Sequence, residues 1–463
     1  MKQILYITIK ISLLLATGLL QSQSFTCKVV DEKTNAVIPY ASVQLGKYKG
    51  VITNEEGMFV LKESEITKLK DSVFISSMGY KTKGFLIKNI TKGIIELTSK
   101  TIELSEVFLN TKDYSTEEII ELVKKNIEAN YAENLSKKKI FFRQSDIHSI
   151  RKMDIGFVKS TIEELDKDLI DSITNTIPKK FEFYREAVGY LYGNNTKHKF
   201  YVDKGAVLYD KKADVSMDGL LKKMERIFKD NTKPNSYLKI KSGWFFSTKV
   251  QLDSLLGSNG YDRLKIENAE NQIFQKQTKD SISKLYTELF FQENSKLDVI
   301  RKSNRYKFEK HDYTFIDDEA VYAIKFTPKG RKLFEGVMYV NTQNFAIVRI
   351  EFNNIRPLRK FELLGLNYGY NLFRGKMLFN KNASNTYSLK YIELETGSTY
   401  GVDRPLKVIE KNKYVKGRRK QNELALNLNL QMKSFHKYEL VIYNSEDITS
   451  SIFENAIEKP KKK

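Results

Sequence analysis

The sequence predicts a mainly β protein with an α+β second part, and three observations support this fold class. Short alternating strands separated by turn residues follow an apolar leader. One amphipathic stretch with a helix-start signal comes next, and alternating strands dominate again beyond residue 320. We therefore expect a small β-sandwich at 25–110, a connecting helix at 111–135, and at 136–463 an α+β domain with an extended, curved antiparallel sheet.

Residues 1–24 have the build of a secretory signal peptide. A weakly basic start at Lys2 precedes an apolar stretch at 11–20, which is shorter than a bilayer-spanning helix and ends at polar residues. An uncleaved membrane anchor is the alternative, and Lys10 argues against it because it interrupts the apolar segment. We expect an exported protein whose leader is removed after Ser22 or Ser24.

Composition narrows the class of protein. The 463 residues allow two or three domains, and 29% charged with 41% hydrophobic residues is typical of a soluble globular chain without a later transmembrane segment. The formal net charge is +21, or +19 once Lys2 and Lys10 leave with the leader. A basic exported protein is attracted to anionic lipid headgroups or acidic glycans, whereas export argues against nucleic acid. Alternatively, the lysines only solvate the surface.

The first predicted domain consists of six or seven short strands with no helical periodicity between them. Gly57 fits a turn position that requires positive φ. Cys27, the only cysteine, rules out an intramolecular disulfide and lies in an alternating strand, so we expect it to be buried. The predicted strands are 25–30, 39–45, 51–54, 58–61, 71–78, 85–87 and 94–97.

These residues resemble a known family. The series runs Val29-x-Asp-x-x-Thr34, Ile38-Pro-Tyr-Ala-Ser-Val43, Thr53-Asn-Glu-Glu-Gly-x-Phe-x-Leu61 and Ile75-Ser-x-x-Gly-Tyr80, and it closes on Leu104-Ser-Glu-Val107. It is similar to the carboxypeptidase regulatory-like module of exported Bacteroidota proteins, although Cys27 replaces the usual glycine. The resemblance implies a transthyretin-like (prealbumin-like) β-sandwich that is an accessory unit and not a catalyst. It also implies a folding or docking role. Together with the predicted leader, we expect a location in the periplasm or at the periplasmic face of the outer membrane.

The connecting helix is predicted at 116–131. Ser115 and Glu118 have the spacing of a capping box, and Ile119, Ile120 and Val123 recur at helical spacing. The helix and the following strand at 139–145 resemble the region that follows the module in Bacteroidota envelope proteins. That region is a domain of unknown function, so the resemblance adds no chemistry.

The remainder mixes helices with strands and then becomes a succession of strands. A hairpin around Asn341-Thr-Gln-Asn344 resembles one in periplasmic lipoprotein carriers and related lipid-binding folds, where a half-open barrel holds an acyl chain. Helical segments are predicted at 160–173, 220–228 and 251–256. Strands are predicted at 181–184, 198–202, 237–241, 283–291, 321–326, 335–340, 345–352, 367–373, 376–380, 387–395, 424–430 and 437–443.

No motif in the sequence specifies a reaction. His436 and Glu439 have the spacing of a zinc-carboxypeptidase pair, but side chains three apart in a strand diverge and no second histidine follows. The acids at 317–319 suit either calcium or a solvated turn. The glycine and histidine motifs of nucleotide-binding proteins, serine hydrolases and zinc proteases are missing. We therefore predict no catalytic residue, no metal and no cofactor.

Two features favour a binding function. One is the aromatic content, 26 tyrosines and 28 phenylalanines, which suits a sugar or lipid site but also fills sheet cores. The other is a basic stretch around Gly417, expected at the end of a long hairpin, that could contact an anionic surface or simply be a solvated loop. Its cations are Lys407, Lys411, Lys413, Lys416, Arg418, Arg419 and Lys420.

We predict a non-enzymatic, exported envelope protein for binding or scaffolding. Its partner would be an anionic lipid surface, an acidic glycan or another envelope protein. The alternatives are a hydrolase of envelope peptides or glycans with the sandwich as its accessory domain, and a periplasmic lipid carrier. A cavity enclosed by the second sheet would favour the carrier.

Overall fold

The structure is a computed structural model. The chain divides into two compact units. One comprises residues 1–113 with 313–321, and the other 114–312 with 322–463. The described residues are 24–38, 41–45, 50–54, 56–62, 73–77, 80–85, 93–99, 114–209, 211–243, 246–251, 266–316, 319–331, 333–382, 384–412, 414–416 and 419–456.

The N-terminal unit contains two small sheets, as the fold-class prediction requires. One has the order β4-β1-β7, with β1 and β7 parallel, and the other has the order β3-β2-β5-β6. Its strands are β1 (Ser24–Asp31), β2 (Ser42–Leu45), β3 (Gly50–Ile52), β4 (Met58–Lys62), β5 (Val73–Ser76), β6 (Lys83–Phe85) and β7 (Ile94–Leu97).

One apolar core joins the two sheets of this unit. It combines Val29 and Leu61 from the first sheet with Val43 and Ile75 from the second, all fully buried. Cys27 belongs to the same core, which confirms the prediction that it is a buried strand residue. Side chains that alternate inward on two facing sheets produce this arrangement.

Gly57 adopts φ of +71°, as predicted from the turn pattern. A β-carbon there would lie 2.7 Å from the carbonyl oxygen of Val29, so the close approach of two backbones also requires glycine. The leader at 1–23 and the family residues at 104–107 lie outside the described residues, and so do the two acids at 317 and 318.

Helix α1 (Thr116–Asn130) begins with the predicted capping box. The Glu118 backbone N–H donates to Ser115 Oγ at 3.2 Å, and the Ser115 backbone N–H donates to Glu118 Oε2 at 2.8 Å. Each side chain therefore satisfies a backbone donor that the first helical turn leaves without an intrahelical partner.

The larger unit is organised around a 13-stranded antiparallel sheet with the central order β10-β9-β8-β20-β19-β18-β16-β15-β14-β13. Strand β11 pairs with β12 and β19, and β17 pairs with β18. The strands are β8 (Ser136–Ser160), β9 (Lys180–Gly193), β10 (His198–Tyr209), β11 (Tyr237–Ser242), β12 (Phe246–Gln251), β13 (Tyr306–Ile316), β14 (Glu319–Pro328), β15 (Phe334–Asn341), β16 (Ile347–Asn354), β17 (Arg359–Leu363), β18 (Leu366–Lys381), β19 (Tyr387–Lys411) and β20 (Lys420–Asp447).

The helices of this unit after α1 are α2 (Lys167–Thr176), α3 (Lys211–Asn231), α4 (Ile266–Thr287) and α5 (Ser450–Asn455), and a 3₁₀ turn covers Ser303–Arg305. The strand predicted at 283–291 is wrong, because α4 runs to Thr287. Buried Ile282, Leu285 and Tyr286 continue with Leu289 and Phe290 at i, i+3, i+4, i+7 and i+8, a helical pattern. The aromatic and β-branched composition of this segment misled the strand prediction.

Strand lengths also differ from prediction. The strands expected at 424–430 and 437–443 are one strand, β20, of 28 residues, and those at 367–373 and 376–380 are joined in β18. Gln431 and Lys433, between the segments predicted in β20, are exposed polar residues within a continuous strand, so they gave a false boundary. The helix predicted at 160–173 begins only at Lys167, and the turn at 252–256 lies outside the described residues.

Helices α2, α3 and α4 pack on one face of the larger sheet, which we call the helix face. The register of β19 with β20 is unbroken from Tyr391 to Ile409, so even-numbered β19 residues in that span share one face. Leu394 lies beneath α4, whereas Leu406 and Val408 pack with residues of α2 and α3. The odd-numbered residues point to the opposite face, which we call the outer face.

Candidate functional site

A cavity of about 250 Å³ lies on the helix face, between α4 and strands β18 to β20. Helix α4 contributes Ser281, Lys284 and Leu285 to one wall, and Glu288 follows directly after the helix. The sheet contributes Tyr368, Tyr370, Phe373, Thr396 and Tyr438. The cavity is smaller than the roughly 300–1,000 Å³ of a typical small-molecule site, so it would hold only part of an elongated ligand.

The cavity carries one free cation and one ion pair. Glu288, only 4% exposed, pairs through its carboxylate with the ammonium of Lys296, and it also accepts the Lys296 backbone N–H at 3.0 Å. The Lys296 ammonium lies 5.4 Å from the centre of the Phe373 ring. Lys284 is exposed and has no acidic partner within 4 Å in the described part of the chain. A ligand with a negative charge would therefore meet Lys284.

Two tyrosine hydroxyls that border the cavity remain protonated at neutral pH. Burial, followed by the charge of Asp146, raises the pKa of Tyr438 to about 12. Burial and the charge of Glu288 raise the pKa of Tyr370 well above its usual value. Both groups are therefore neutral hydrogen-bond donors beside an apolar ring, which suits a polar group at the end of an apolar chain.

A hydrogen-bonded row of side chains continues from the cavity along β8 and β20. His436 Nδ1 lies 2.6 Å from Asp146 Oδ1, and Asp146 Oδ2 accepts from Gln144 at 2.7 Å. Gln144 Oε1 in turn accepts from Ser281 Oγ at 3.2 Å. Because these groups satisfy one another, they fix the cavity wall beneath α4.

Beyond the cavity, the described part of the helix face includes apolar side chains that remain exposed. Tyr368, which lines the cavity, lies 5.3 Å from the Tyr400 ring, and Tyr400 is opposite Met432 in the register. Tyr400 is 41% exposed, Met432 37%, and Phe361, opposite Tyr368, 44%. These four residues form what we call the apolar stretch, and such a contiguous exposed patch marks a binding surface.

The helix face near α1 is filled by aromatic side chains. The buried Tyr131 ring stacks on Phe291 at 4.6 Å, and its hydroxyl donates to the carbonyl oxygen of Ile347 at 2.8 Å. Phe290 and Phe379 complete the cluster at 5.2 and 5.3 Å from Tyr131. This end of the sheet is packed core, so the cavity and the apolar stretch remain the candidate ligand site.

Two further recesses in this unit have different chemistry. One, of about 380 Å³, shares Lys296 with the cavity and is rimmed by Arg305, Lys329 and Arg331, which adds positive potential beside the site. The other, of about 500 Å³, is a shallow depression on the outer face. Its ionic groups pair with one another, for example Arg374 with Glu395 at 2.6 Å.

The predicted basic stretch lies at the end of the β19–β20 hairpin, as expected. Lys411 and Lys420 are opposite each other where pairing ends, and the Asn412 backbone N–H donates to the carbonyl oxygen of Arg419 at 2.9 Å. Lys407 is exposed on β19, whereas Lys420 pairs with Glu423. Lys416 and Arg419 lie in the exposed connection, and Lys413 and Arg418 lie outside the described residues.

His436 and Glu439, which have zinc-ligand spacing in the sequence, each contact another charged side chain. His436 is held by Asp146, and buried Glu439 lies 3.7 Å from the Lys437 ammonium. Across the described ranges, no group of three or more His, Cys, Asp or Glu is arranged to hold a metal ion. Nor does any helix within those ranges combine the length and the apolar composition needed to cross a membrane.

The sequence did not predict the cavity, which brings together ionisable side chains from separate elements. Lys284 comes from α4, Lys296 from the following turn, and Tyr370 and Tyr438 from two strands. Their positions are 154 residues apart at the extremes, and no motif links them. The helical spacing of the segment around Leu285 was the available signal, because it shows that Lys284 and Glu288 share one helix face.

Comparisons with known proteins identify the N-terminal domain. Residues 25–109 match the CarboxypepD_reg-like domain family, which confirms the predicted module. No curated protein matches the chain.

Solved structures resemble the larger part of the chain only distantly. A domain from Vibrio parahaemolyticus assigned to outer membrane lipoprotein sorting is 8% identical, with a TM-score of 0.22, and the match covers 73% of this chain and 97% of that one. A LolA superfamily protein from Nitrosomonas europaea is 10% identical, with a TM-score of 0.19, and the match covers 74% of this chain and 98% of that one. A chain of the Pseudomonas aeruginosa MucA/MucB complex is 6% identical, also with a TM-score of 0.19, and the match covers 69% of this chain and 93% of that one. Similarity this low carries no argument about ligands.

Proposed function

We propose that this chain is a non-enzymatic, exported envelope protein that binds a single-chain anionic amphiphile on the helix face of its larger sheet. The observation that carries the proposal is the continuity between the cavity and the apolar stretch through Tyr368. The cavity supplies a free ammonium at Lys284 and neutral hydroxyl donors, and the apolar stretch supplies exposed apolar surface. A charged head with one apolar tail matches both parts.

The size of the site favours one chain over several. Since the cavity is only about 250 Å³ and the aromatic cluster around Tyr131 packs the neighbouring part of the sheet, a lipid with several acyl chains would not fit beneath α4. The function is therefore closer to the carrier alternative than to pure scaffolding. The predicted leader supports export, which is part of the proposal.

The test uses cis-parinaric acid, a fluorescent fatty acid, with the full mature chain. Wild type is expected to bind it saturably, and Ser398→Trp, which fills the cavity, is expected to abolish binding. Ser388→Trp, on the same strand but outside the cavity, is the matched control and should bind as wild type does. Lys284→Gln should weaken binding about tenfold, because a charge-assisted contact is lost.

Two outcomes would overturn this function. One is equal binding by wild type and Ser398→Trp. The other is no binding of the probe together with native mass spectrometry that finds no copurified amphiphile.

A hydrolase is the second candidate, and one observation favours it. His436 is oriented by Asp146 at 2.6 Å close to the cavity, the arrangement that positions a general base. However, no side-chain hydroxyl or thiol in the described part of the chain hydrogen-bonds to His436, and the Ser434 hydroxyl lies 2.8 Å from His148 Nδ1 instead. Hydrolysis of an ester or amide substrate that disappeared in His436→Ala would support this candidate and count against pure binding.

A further inference from the structure

The outer face of the sheet carries lysines directly opposite one another on adjacent strands. In the register, Lys239 of β11 is opposite Lys249 of β12, and Lys241 of β11 is opposite Lys407 of β19. Lys411 is opposite Lys420 at the end of β19 and β20. Side chains directly opposite in an antiparallel pair lie about 4.5–5.5 Å apart at their β-carbons, and like charges in these positions are destabilising.

These lysines share the outer face. Val408 packs in the core beneath α2 and α3, so its neighbour Lys407 points the other way. On β11, Leu238 is buried and opposite Glu410, which leaves Lys239 and Lys241 on the outer face with Lys407. We call Lys239, Lys241, Lys249, Lys407 and Lys411 the lysine face.

The lysine face has little compensating negative charge. Within the described ranges, none of its five ammonium groups lies within 4 Å of an acid; Lys249 instead lies 5.8 Å from the Tyr237 ring centre. Glu423 is engaged by Lys159 and Lys420. Glu410 is buried on the helix face, where it accepts the Ser236 hydroxyl at 2.6 Å. The face therefore retains its repulsion in the isolated protein.

We propose that the lysine face docks this protein on an anionic phospholipid bilayer. An unneutralised array of cations costs stability in the free protein, and an anionic surface would offset that cost. Lysine ammonium groups are hydrated point charges, which suit a diffuse layer of headgroups better than one bidentate site. The net charge of +21 also attracts the protein to an anionic surface at long range.

Shape favours a bilayer over a single acidic polymer. The lysines spread over three strands and, from Lys407 to Lys411, over about 13 Å along β19, so they form a broad array instead of a groove. Tyr414, in the adjoining connection, is 81% exposed, and tyrosine is a residue that membrane interfaces favour. This inference is independent of the amphiphile site, which lies on the other face.

The experiment measures sedimentation of the full mature chain with vesicles. Wild type is expected to bind vesicles of phosphatidylcholine mixed with phosphatidylglycerol and to dissociate from them at high salt. It should not bind vesicles of pure phosphatidylcholine. The triple variant Lys239→Gln, Lys241→Gln, Lys407→Gln should bind about 100-fold more weakly, since each lysine near an anionic surface contributes about 1 kcal/mol. Trp244, the only tryptophan, is close in sequence to β12 and gives an emission signal for binding.

The control removes the same charge elsewhere. Lys197, Lys222 and Lys329 are exposed and lie outside the lysine face, so their triple glutamine variant should keep nearly all vesicle binding. The lysine-face variant should also melt at a higher temperature than wild type, because two like-charged pairs are gone. A docking role predicts weaker binding together with higher stability, whereas misfolding would lower both.

Three results would overturn the proposal. Equal loss of vesicle binding in both triple variants would show that only net charge matters. No binding of wild type to anionic vesicles would remove the bilayer as the partner. Binding of wild type to soluble heparin but not to vesicles would identify an acidic polymer as the partner instead. Because parinaric acid binding does not use the lysine face, it should survive in the triple variant whichever result is found.

Discussion

His198 gives the sharpest prediction about pH. Its ring lies 4.5 Å from Tyr286, and its Nε2 atom is buried without a hydrogen-bond partner. Burial, followed by the positive charge of Lys138, lowers its pKa from 6.5 to about 4; a backbone hydrogen bond with Asn194 opposes this shift, and the charge of Lys279 adds slightly to it. Lys138 is itself only 1% exposed and pairs with Glu133 at 2.9 Å.

The sign and size of the effect follow from these two pKa values. The folded state holds the His198 proton more weakly than the unfolded state. The contribution of neutral His198 to the free energy of unfolding is therefore complete above about pH 6.5 and is lost as the pH falls through about 4. The two values differ by about 2.5, and 1.36 kcal/mol for each pKa unit gives a loss of about 3 kcal/mol.

The assay is urea unfolding followed by circular dichroism at several pH values between 7 and 4, in wild type and in His198→Phe. Phenylalanine keeps a ring beside Tyr286 but cannot be protonated, so the variant should lose about 3 kcal/mol less over this range. His148, whose pKa is also lowered by burial and by His436, remains in both proteins and cancels in the comparison. His311→Gln, at an exposed position, is the control. Identical pH dependence in wild type and His198→Phe would refute the reasoning.

Two other substitutions test specific contacts. Arg404→Lys should destabilise the larger unit by about 3 kcal/mol in the same urea titration. The nearly buried guanidinium donates to the Ser242 carbonyl at 2.8 Å, to Ser242 Oγ at 2.9 Å and to the Leu364 carbonyl, and an ammonium cannot reach all three. Arg374→Lys, at an exposed ion pair, is the control and should cost under about 1 kcal/mol. Ser115→Ala should cost about 1 kcal/mol through loss of the α1 cap, and an unchanged unfolding midpoint would contradict the capping geometry.

Prediction from sequence succeeded where the signal is local. The capping residues Ser115 and Glu118, the positive φ at Gly57 and the burial of Cys27 each depend on a few neighbouring residues, and the structure confirms all three. It failed at α4, where strand-favouring residues occupy a helix that packs on a sheet. Tertiary contacts of Leu285 and Tyr286 outweigh local propensity there.

The candidate site could not be read from sequence for a related reason. The cavity exists because β20 pairs with both β19 and β8, which brings Tyr438 near Thr396 and beneath α4. The basic stretch was visible because its cations lie within one short segment of the sequence, but Lys239, Lys241 and Lys249 join it only through the β11–β19 and β11–β12 registers.

The amino-acid sequence thus determined the mainly β class, the N-terminal module and the positions of most strands, since alternation and turn residues act over a few positions. The tertiary structure alone decided which faces the helices cover, where a cavity remains and which lysines oppose one another. Those properties depend on strand register and on contacts between residues far apart in the chain, and a shift of one residue in register would exchange the two faces of a strand.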